Sequence, residues 1–523
     1  MRKQNKKRIL AFLCVAVLAV SMTACGGKSS NSGGTGVVGD ADSPYKVSDE
    51  PITLDFFYFG TTPFKDDYPV FQEAARLTNV TLHGTVPQSV SNGTQAFTTM
   101  MASGKLDDIV TTSKANFDKY ASTGAFEPLD PLIEKYAPDI QKFLDEHEDL
   151  RKMLTQSDGH IYFLPRFEQG DAAQGWYIRQ DWLDALNLKA PNNMDEFYQV
   201  MKAFREQDPN GNGEQDEIPY FNRSGELSAL YNLMGVRMGF NYNEVSGKVE
   251  FGAYTPAYKE AVKTVAQWYK EGLIDQEIFT RGGNSREQLL GNNTGGITHD
   301  WFTSTDGYNK KLAGSVPGIN FKAMAPPADI NGIAWESTSR AQSTMSGWGI
   351  ASSNQHKVES IKYFNFWYTD AGNRLANYGV EGIHYDLVDG KPVVKQEFLD
   401  TTKSMTETWW GEGIALYIGY VQDFEAEKVW MSDSAKEAFN LYVDNGYIRD
   451  AFPQLSFTEE EQKVITEKWT AVNTYMSEQQ QKWIFGTEDV ETTFDSYMAQ
   501  CRQLGMDEVL EAYNSAYARY RNS

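Results

Sequence analysis

The most chemically informative residues of the chain lie in one polar loop, residues 208–217 (DPNGNGEQDE). Asp208, Asn210 and Asn212 stand at alternate positions, as the side-chain ligands at positions 1, 3 and 5 of a calcium-binding loop do. Gly213 follows at position 6, where such a loop needs glycine for its sharp turn. Because Ca²⁺ binds hard oxygen ligands on a tightly curled backbone, this spacing predicts a calcium site.

The second half of the loop completes the candidate ligand set with one departure. Glu214 can offer its main-chain carbonyl, and Asp216 stands at position 9. Position 12, which usually supplies a bidentate glutamate, is Pro219 here, so Glu217 is the expected substitute. The alternative is an Asn- and Gly-rich turn that holds no metal. No second helix–loop–helix is visible, so we expect a structural ion that stiffens the loop rather than a sensor.

The helix before this loop is defined by local signals. Asn193 can cap its first turn, and Glu196, three residues later, can reach back toward the cap. Four apolar residues then recur at the spacing of one helix face: Phe197, Val200, Met201 and Phe204. We therefore expect a packed amphipathic helix that leads directly into the predicted calcium loop.

The first 25 residues have the pattern of a secretory signal. A basic stretch (MRKQNKKR) precedes an apolar run over residues 9–20, which is too short for a comfortable membrane span. Cys25 directly follows Thr23 and Ala24, which resembles a bacterial lipobox, although Met22 stands where leucine is usual. We therefore predict a lipoprotein signal peptide at residues 1–24, with an ordinary cleaved signal as the alternative.

Processing at this site would leave a tethered protein. Cleavage before Cys25 would free that residue to carry a diacylglyceryl anchor (palmitate), and residues 25–49 would form the lipidated cysteine and a flexible tether rich in Gly and Ser. Two acyl chains on one residue suffice for stable anchoring. The expected location is the extracellular face of the cell membrane.

Charge and missing motifs argue against several classes of function. The formal net charge is −23, and the predicted signal peptide holds only basic charges, which argues against nucleic acid as a partner. The histidines form no His-x-His or His-x-x-x-His pair, so a zinc site is not expected. No Gly-x-Ser-x-Gly motif or P-loop is present. Cys501 would be left alone after lipidation, which argues against a disulfide framework.

Strands and helices alternate near the start of the predicted folded region. Strand patterns at residues 52–59 and 80–86 alternate with helical patterns at residues 70–77 and 95–102, and residues 103–110 then turn from helix to strand. This alternation indicates an α/β lobe with a largely parallel sheet, in which ligands lie beyond the carboxyl ends of the strands. Residues 458–521 read as mostly helical and charged.

Several short segments resemble one known family, and they run through nearly the whole predicted mature chain. They are residues 101–109, 158–165, 178–183, 208–219, 347–350, 377–382 and 482–486. Together with the lipobox, their order and spacing resemble the extracellular solute-binding lipoproteins of bacterial carbohydrate ABC transporters (family 1 type). The similarity is greatest to the calcium-containing branch that binds oligosaccharides.

This resemblance implies a two-lobe fold of the periplasmic-binding-protein type that closes on its ligand. Each lobe would be a mostly parallel sheet flanked by helices, followed by a helical C-terminal region. The implied boundaries are residues 50–168 plus 335–380 for lobe 1 and residues 169–334 plus 381–523 for lobe 2, with crossings near residues 168, 334 and 380. The resemblance also implies that the calcium loop binds its ion as the spacing predicts.

The same resemblance implies a function without covalent chemistry. The chain would be a monomer that captures an oligosaccharide and delivers it to two permease subunits, which work with a cytoplasmic ATPase. A second hypothesis keeps the fold but changes the cargo to a peptide or another polar solute. A third is a surface glycoside hydrolase, which needs two carboxylates at a set separation that a sequence cannot place.

A sugar-binding cleft combines flat aromatic rings with polar and charged side chains. Trp301, at the end of a predicted strand, is a candidate stacking residue, with a place in the core as the alternative. Trp409 and Trp410 are neighbours, and on an extended segment neighbouring side chains point to opposite sides, so we expect at least one at a surface or cleft.

Five more ligand candidates flank the predicted lobe crossings: Trp176, Arg179, Trp335, Arg166 and Glu168. Arg179 could pair with a sugar hydroxyl or carboxylate, and a structural salt bridge is the equal alternative. An acidic sugar would need basic groups in the cleft, for which Arg166 and Arg179 are the candidates. The identity, length and linkage of the sugar do not follow from these residues.

Overall fold

Strands and helices of the chain are arranged around two separate sheets. The computed structural model describes residues 39–522 except 41, 61, 122, 157, 171–172, 224, 306, 338–342, 402 and 456. The predicted signal peptide, the predicted lipidation site at Cys25 and the tether up to residue 38 lie outside the described residues.

The strands are short, as is usual for α/β proteins. They are β1 (Ile52–Phe57), β2 (Val80–Gly84), β3 (Ile109–Ser113), β4 (Leu164–Phe167), β5 (Gln174–Arg179), β6 (Ile218–Tyr220), β7 (Phe240–Asn243), β8 (Lys248–Phe251), β9 (Gly295–Trp301), β10 (Phe321–Met324), β11 (Glu336–Ser337), β12 (Ser343–Ile350), β13 (Tyr385–Val388), β14 (Lys391–Val394), β15 (Tyr420–Val421) and β16 (Ile448–Arg449).

The helices connect these strands and fill the C-terminal region. The first half has α1 (Pro69–Thr78), α2 (Gly93–Ser103), α3 (Lys114–Ala121), α4 (Asp130–Tyr136), α5 (Pro138–Glu146), α6 (Glu148–Leu154), α7 (Gln180–Ala185), α8 (Met194–Glu206), α9 (Ser228–Leu233), α10 (Ala257–Lys270) and α11 (Ser285–Gly291). The second half has α12 (Phe302–Thr305), α13 (Tyr308–Leu312), α14 (Lys357–Phe366), α15 (Asp370–Tyr378), α16 (Gln396–Leu399), α17 (Met405–Glu412), α18 (Phe424–Trp430), α19 (Asp433–Asp444), α20 (Glu459–Ile484), α21 (Val490–Leu504) and α22 (Met506–Asn522).

The first lobe is built on a six-stranded sheet with the order β15-β4-β12-β3-β1-β2. Strand β1 is parallel to β2 and β3, and β15 is parallel to β4, whereas β12 runs antiparallel to both of its neighbours. Leu54, Ile109 and Trp348 are fully buried in its core. The α/β class predicted for this part of the chain is confirmed.

The second lobe is built on a four-stranded sheet with the order β10-β5-β9-β6. Strand β5 is antiparallel to both β9 and β10, and only β6 and β9 are parallel. The sheet therefore differs from the mostly parallel one that we expected. The chain enters this lobe at β5 and leaves it after β10. These two strands are neighbours in the sheet and run in opposite directions.

The chain passes between the two sheets in three places. The first lies between β4 and β5 and the second between β10 and β12, close to the expected crossings near residues 168 and 334. The third follows β15, not residue 380, because β15 pairs with β4 in the first sheet. Trp409, Ile418 and Trp430 also pack in the first core, so this segment does not belong to lobe 2 as we expected.

Residues 458–521, predicted to be mostly helical, form three C-terminal helices that pack on the second core. Thr458 and Glu461 form a reciprocal capping box at the start of α20. Val472, Trp483 and Phe494 of α20 and α21 are buried against the second core. No helix of the described residues is long and apolar enough to cross a bilayer.

Candidate functional site

The loop of residues 208–217 begins where α8 ends. The Asn193 side chain accepts a hydrogen bond from the Glu196 N–H (2.9 Å), and Glu196 in turn accepts one from the Asn192 N–H (2.9 Å), one residue before the expected cap. The predicted apolar stripe is buried, with Phe197 and Phe204 fully enclosed. This rigid helix fixes the position from which the loop leaves the core.

The loop backbone curls tightly around the Asp208 carboxylate. Asp208 itself has φ 47°, and Gly213 has φ 83°, a left-handed conformation that favours glycine. One Asp208 oxygen accepts from the Asn212 N–H (3.1 Å) and the other from the Gly213 N–H (2.9 Å). The glycine therefore stands where the sequence pattern requires it.

Side-chain amides of the loop lie against a second carboxylate. The Asn210 amide donates to Asp216 (3.0 Å), and the Asn212 amide donates to both Asp216 oxygens (3.2 Å each). The Glu214 N–H donates to the Asn212 side-chain oxygen (2.7 Å). Hydrogen bonds within the loop thus link Asp208, Asn210, Asn212 and Asp216.

Glu217 is the least satisfied group of the loop. Its side chain is 1% exposed, and neither carboxylate oxygen has a hydrogen-bond partner. Burial raises the pKa of this carboxyl and the charges of Asp216 and Asp208 add to the shift, whereas the backbone N–H groups of Glu217 and Asn210 act in the opposite direction. Burying a carboxylate without a compensating charge costs free energy of folding. A cation bound at this position would offset that cost.

The oxygen donors of the loop suit a hard cation. Carboxylate, amide and main-chain carbonyl oxygens are the ligands that Ca²⁺ takes. No group of three His, Cys, Asp or Glu side chains is assembled as a metal site among the residues that the structure describes. Asp208, Asp216 and Glu217 of the loop are therefore not assembled as such a group of three carboxylates.

Trp301 lies at the carboxyl end of β9, opposite Gln174 at the start of β5. Its side chain is 40% exposed, so it is not a core residue. The Trp301 N–H donates to Asp300 (2.8 Å), which fixes the backbone that carries the ring. An exposed ring on a rigid strand end next to the first crossing is available for stacking.

Asp300 is held by two arginines that the sequence did not single out. Its side chain is buried, with Arg223 on both oxygens (Nε at 2.8 Å) and Arg286 3.4 Å away. Arg286 also donates to Thr305 (2.7 Å). Arg223 is 77 positions from Asp300, so only the fold could reveal this cluster.

A buried histidine–glutamate pair joins β9 to the second crossing. The His299 Nε2 and Glu336 are 2.8 Å apart, and Trp176 packs edge-on against the imidazole (5.4 Å between centroids). Burial acts to lower the pKa of His299, but the Glu336 charge and hydrogen bond outweigh it, so the pKa is raised. Trp176, a sequence candidate, is 3% exposed and supports this pair from the core.

Trp335 stands immediately before this pair and is half-buried. The Arg237 guanidinium lies over its ring at 4.5 Å from the centroid. Trp176, Trp335 and Glu336 line one small enclosed cavity of about 10 Å³, which is too small for a sugar. Part of the Trp335 side chain is therefore exposed and available to a ligand, whereas Trp176 is buried in the core.

Arg166 lies on β4 and Glu168 directly follows this strand at the first crossing, and the two side chains pair with each other (2.5 Å). Arg166 also donates to the Ala415 carbonyl (2.8 Å) and lies over the Tyr417 ring (5.1 Å). Their side chains are 12% and 14% exposed. The two candidates are therefore together at the crossing, and their charges already compensate each other.

Arg179 does not lie on an open surface. Its side chain is 2% exposed, and it pairs with Asp181 (2.5 Å), donates to Asn293 (2.7 Å) and lies over the Trp182 ring (4.6 Å). Arg179 was expected either to bind a sugar or to form a structural salt bridge, and the structure has the salt bridge. Arg179 and Asp181 are only two residues apart, so the pair forms within one turn.

Trp409 and Trp410 lie on helix α17, not on an extended segment. Ser404 and Glu407 form the capping box that begins this helix. Trp409 is 6% exposed and packs against Trp430 (6.0 Å), so it belongs to the first core. Trp410 is half-buried beside Tyr417 (6.2 Å), and it is the member of the pair that reaches a surface.

A groove in the first lobe faces the carboxyl ends of β1 and β2, where open sheets place ligands. It has a volume of about 660 Å³ and runs along α2, with Phe57, Thr85 and Asp107 in its wall. Thr85 donates to Asp107 (2.5 Å), and burial raises the pKa of that carboxyl. No sequence pattern singled out these residues.

Comparison with known proteins supports one family. Residues 68–374 match the family of bacterial extracellular solute-binding proteins. The fructooligosaccharide ABC transporter substrate-binding protein FusA of Streptococcus pneumoniae serotype 4 is 26% identical over 99% of this chain and 98% of its own length.

Solved structures agree with this match. The crystal structure of the alginate-binding protein AlgQ2 without calcium ion has 38% identity and a TM-score of 0.83, and covers 91% of this chain and 100% of that chain. An EF-hand mutant of FusA in complex with fructo-nystose has 24% identity and a TM-score of 0.73 over 90% of this chain and 99% of that chain, which supports the fold alone. The chain therefore belongs to the bacterial extracellular solute-binding proteins.

Proposed function

We propose that this chain captures an oligosaccharide between its two lobes and delivers it to the permease of an ABC transporter. Trp301 is the observation that carries the proposal. It is an exposed ring at the end of a strand, beside the first crossing, and Asp300 and its arginines hold it in place. Saccharide C–H faces pack on such rings, while nearby ion pairs offer donors and acceptors to the hydroxyls.

The arrangement favours binding without covalent chemistry. Family members with similar sequences are described as substrate-binding proteins. The buried Asp300 carboxylate beside Trp301 is held in ion pairs with Arg223 and Arg286, so its oxygens are already occupied. We therefore propose a binding protein rather than a glycoside hydrolase.

We further propose that the loop of residues 208–217 holds one structural Ca²⁺. Asp208, Asn210, Asn212, Asp216 and Glu217 would supply side-chain oxygens, and Glu214 its carbonyl. The buried Glu217 carboxylate, which has no cationic partner among the described residues, supports this assignment, as does the EF-hand of the related FusA protein. The ion would neutralise Glu217 and tie α8 to β6.

The membrane attachment follows from the sequence pattern and remains part of the same proposal. Cys25 would carry the lipid anchor at the extracellular face of the cell membrane, and residues up to 49 would act as its tether. A monomer on this tether would present its closed, loaded form to the permease subunits.

A thermal-unfolding screen of the calcium-loaded protein tests the proposed function. A bound oligosaccharide at 100 times its Kd should raise the free energy of unfolding by about 2.7 kcal/mol, and the sugar should be recovered intact. Peptides and simple osmolytes serve as controls. Cleavage of a stabilising sugar would point to an enzyme, and stabilisation by peptides alone would transfer the proposal to another cargo.

A further inference from the structure

The hydroxyl of Tyr442 bridges two strands at the edge of the second lobe where the chain enters and leaves it. Tyr442 lies on α19, and its side chain is fully buried. The hydroxyl donates to the Met324 carbonyl at the end of β10 (2.9 Å) and accepts from the Trp176 N–H near the start of β5 (2.8 Å). One hydroxyl can do both, because it has one proton to donate and lone pairs that accept.

The two bridged residues form the last pair of the β5–β10 ladder. Met324 is directly opposite Trp176 in the strand pairing. At the other end of the ladder the Gln180 N–H donates to the Asn320 carbonyl (2.8 Å), and hydrogen-bonded pairs recur at every second residue of antiparallel strands. Trp176 and Met324 are therefore a pair of the hydrogen-bonded type, and the hydroxyl takes part in its bonds.

The Tyr442 ring also contacts both segments that hold Trp301. A Cβ atom at Gly175 would lie 2.5 Å from the Tyr442 ring and 2.7 Å from the Phe302 ring, so glycine permits this close approach. The rings of Tyr442 and Phe302 pack against each other with 5.2 Å between centroids. Phe302 directly follows Trp301, and Gln174, one residue before Gly175, is opposite Trp301 in the β5–β9 pairing.

Tyr442 comes to this position from a distant part of the chain. It is 266 positions from Trp176 and 118 positions from Met324, on the helix that follows the third crossing and α18. Burial raises the pKa of Tyr442 well above its ordinary value, and the hydrogen bond from the Trp176 N–H acts in the opposite direction without cancelling this shift. The hydroxyl therefore keeps the proton that it donates to Met324.

We propose that the Tyr442 hydroxyl is a positioning group of the ligand site, which fixes the strand end that carries Trp301. This inference rests on the proposed function and names a residue that the site needs but that does not touch the ligand. Phenylalanine at this position would keep the ring contacts with Gly175 and Phe302. It would remove the bridge, so that the start of β5 would lose a fixed partner.

A second buried tyrosine of the same lobe provides a matched control. Tyr497 is 1% exposed, and its hydroxyl donates to the Ala253 carbonyl (2.7 Å). Its ring packs against Trp483 with 4.9 Å between centroids. Tyr497→Phe therefore removes a buried hydroxyl and a hydrogen bond to the main chain, as Tyr442→Phe does, but beside a different tryptophan.

Fluorine NMR of protein labelled with 5-fluorotryptophan tests the inference without any ligand. Trp301→Phe and Trp483→Phe assign the two resonances that matter. Tyr442→Phe should shift the Trp301 resonance by more than its line width and leave that of Trp483 in place. Tyr497→Phe should do the reverse. A Trp301 resonance that stays in place in Tyr442→Phe, or that moves equally in both variants, would overturn the inference.

Binding measures the consequence for the site. Calorimetry with a fructo-oligosaccharide tetramer and with an alginate tetramer as probes compares wild-type protein, Trp301→Ala, Tyr442→Phe and the double variant. For a probe that binds, Trp301→Ala should weaken affinity by about tenfold and Tyr442→Phe by about threefold. Because the hydroxyl acts through Trp301, the double variant should bind as Trp301→Ala does, whereas independent effects would multiply to about thirtyfold. Tyr497→Phe should keep wild-type affinity.

The outcomes separate this inference from the proposed function. If Trp301→Ala weakens binding and Tyr442→Phe does not, or if the two effects multiply, the positioning role is wrong and oligosaccharide binding stands. If Trp301→Ala leaves the affinity unchanged, Trp301 is not in the ligand site and both proposals fail. If neither probe binds the wild-type protein, the fluorine spectra alone decide whether Tyr442 positions Trp301.

Discussion

Three buried carboxylates in or beside the second lobe differ in the cation that faces them. Asp300 lies between two arginines, whose charge is permanent. Glu336 faces His299, whose charge depends on pH. Glu217 is the most buried of the three, and no cationic side chain of the described residues pairs with it.

The difference shows which interactions the chain provides for itself. Burial of a carboxylate is tolerated when a partner and hydrogen bonds compensate the lost hydration. Asp300 and Glu336 meet this condition within the fold and stabilise the strand end that carries Trp301. Glu217 does not, and it is the only one of the three that lies in a loop of oxygen donors. We therefore attribute its missing partner to the proposed Ca²⁺.

Loss of the Asp300 charge should have the largest effect on stability. Asp300→Asn leaves Arg223 and Arg286 facing each other without a counter-charge, and breaking a buried pair in this way costs about 3–5 kcal/mol of unfolding free energy. Denaturant unfolding measures this loss of unfolding free energy. The loss should be the same with and without Ca²⁺. Asp507→Asn, an exposed partner of Arg502, is the control and should cost less than about 1 kcal/mol.

Calcium removal should have the next largest effect. At free Ca²⁺ 100 times its Kd, chelation should lower the free energy of unfolding by about 2.7 kcal/mol. Glu214→Gln is a matched control, because this residue would contribute only its carbonyl and should keep the response. Asp208→Asn should weaken it. If the free energy of unfolding of the wild-type protein is the same with calcium and with chelator, Ca²⁺ is not the partner of Glu217. The proposed contrast with Asp300 and Glu336 would then fail.

The pair of His299 and Glu336 should make a smaller, pH-dependent contribution. The pKa of His299 is raised above its ordinary 6.5 in the folded protein. The stabilisation is therefore full below pH 6.5 and is lost as the pH rises through the folded-state pKa.

Glu336→Gln should thus cost about 1.5 kcal/mol near pH 6, the value of a hydrogen bond to a charged group, and less near pH 9. Denaturant unfolding at several pH values measures the difference from wild type. The Asp507→Asn difference, measured in parallel, should stay constant over the same range because Asp507 pairs with Arg502 and not with His299. A Glu336→Gln cost that grows with pH would contradict the ion pair.

Trp301 should affect binding and hardly affect folding. Trp301→Ala removes an exposed ring, so the free energy of unfolding should change by less than about 0.5 kcal/mol. The affinity for the bound oligosaccharide should fall by about tenfold, or about 1.4 kcal/mol, as measured by calorimetry. Phe485→Ala, with a comparably exposed ring (46%), controls for general surface effects. Unchanged affinity of the Trp301 variant would exclude it from the ligand site.

Features that depend on neighbouring residues could be predicted from the sequence. The cap at Asn193, the stripe of α8 and the curl of the loop at Gly213 are all set within a few positions. The family resemblance added the two lobes, which periodicity alone does not give. The capping box of Ser404 and Glu407 was also a readable local signal, and its omission led to the wrong extended conformation for the two tryptophans.

Features that depend on distant residues could not be predicted. The contact of Arg223 with Asp300 spans 77 positions and that of His299 with Glu336 spans 37, and no pattern in either segment indicates its partner. The third crossing was misplaced because β15 has only two residues, too few to produce a periodic signal. Arg179 was ambiguous because its burial depends on Asn293 of another segment.

Calorimetric titration of Ca²⁺ into calcium-depleted protein tests the central distinction most directly. We predict one ion per chain for wild-type protein and for Glu214→Gln, and no saturable binding for Glu217→Gln. Absence of binding to wild-type protein, or binding by Glu217→Gln with wild-type stoichiometry and affinity, would contradict the assignment of the missing partner to calcium.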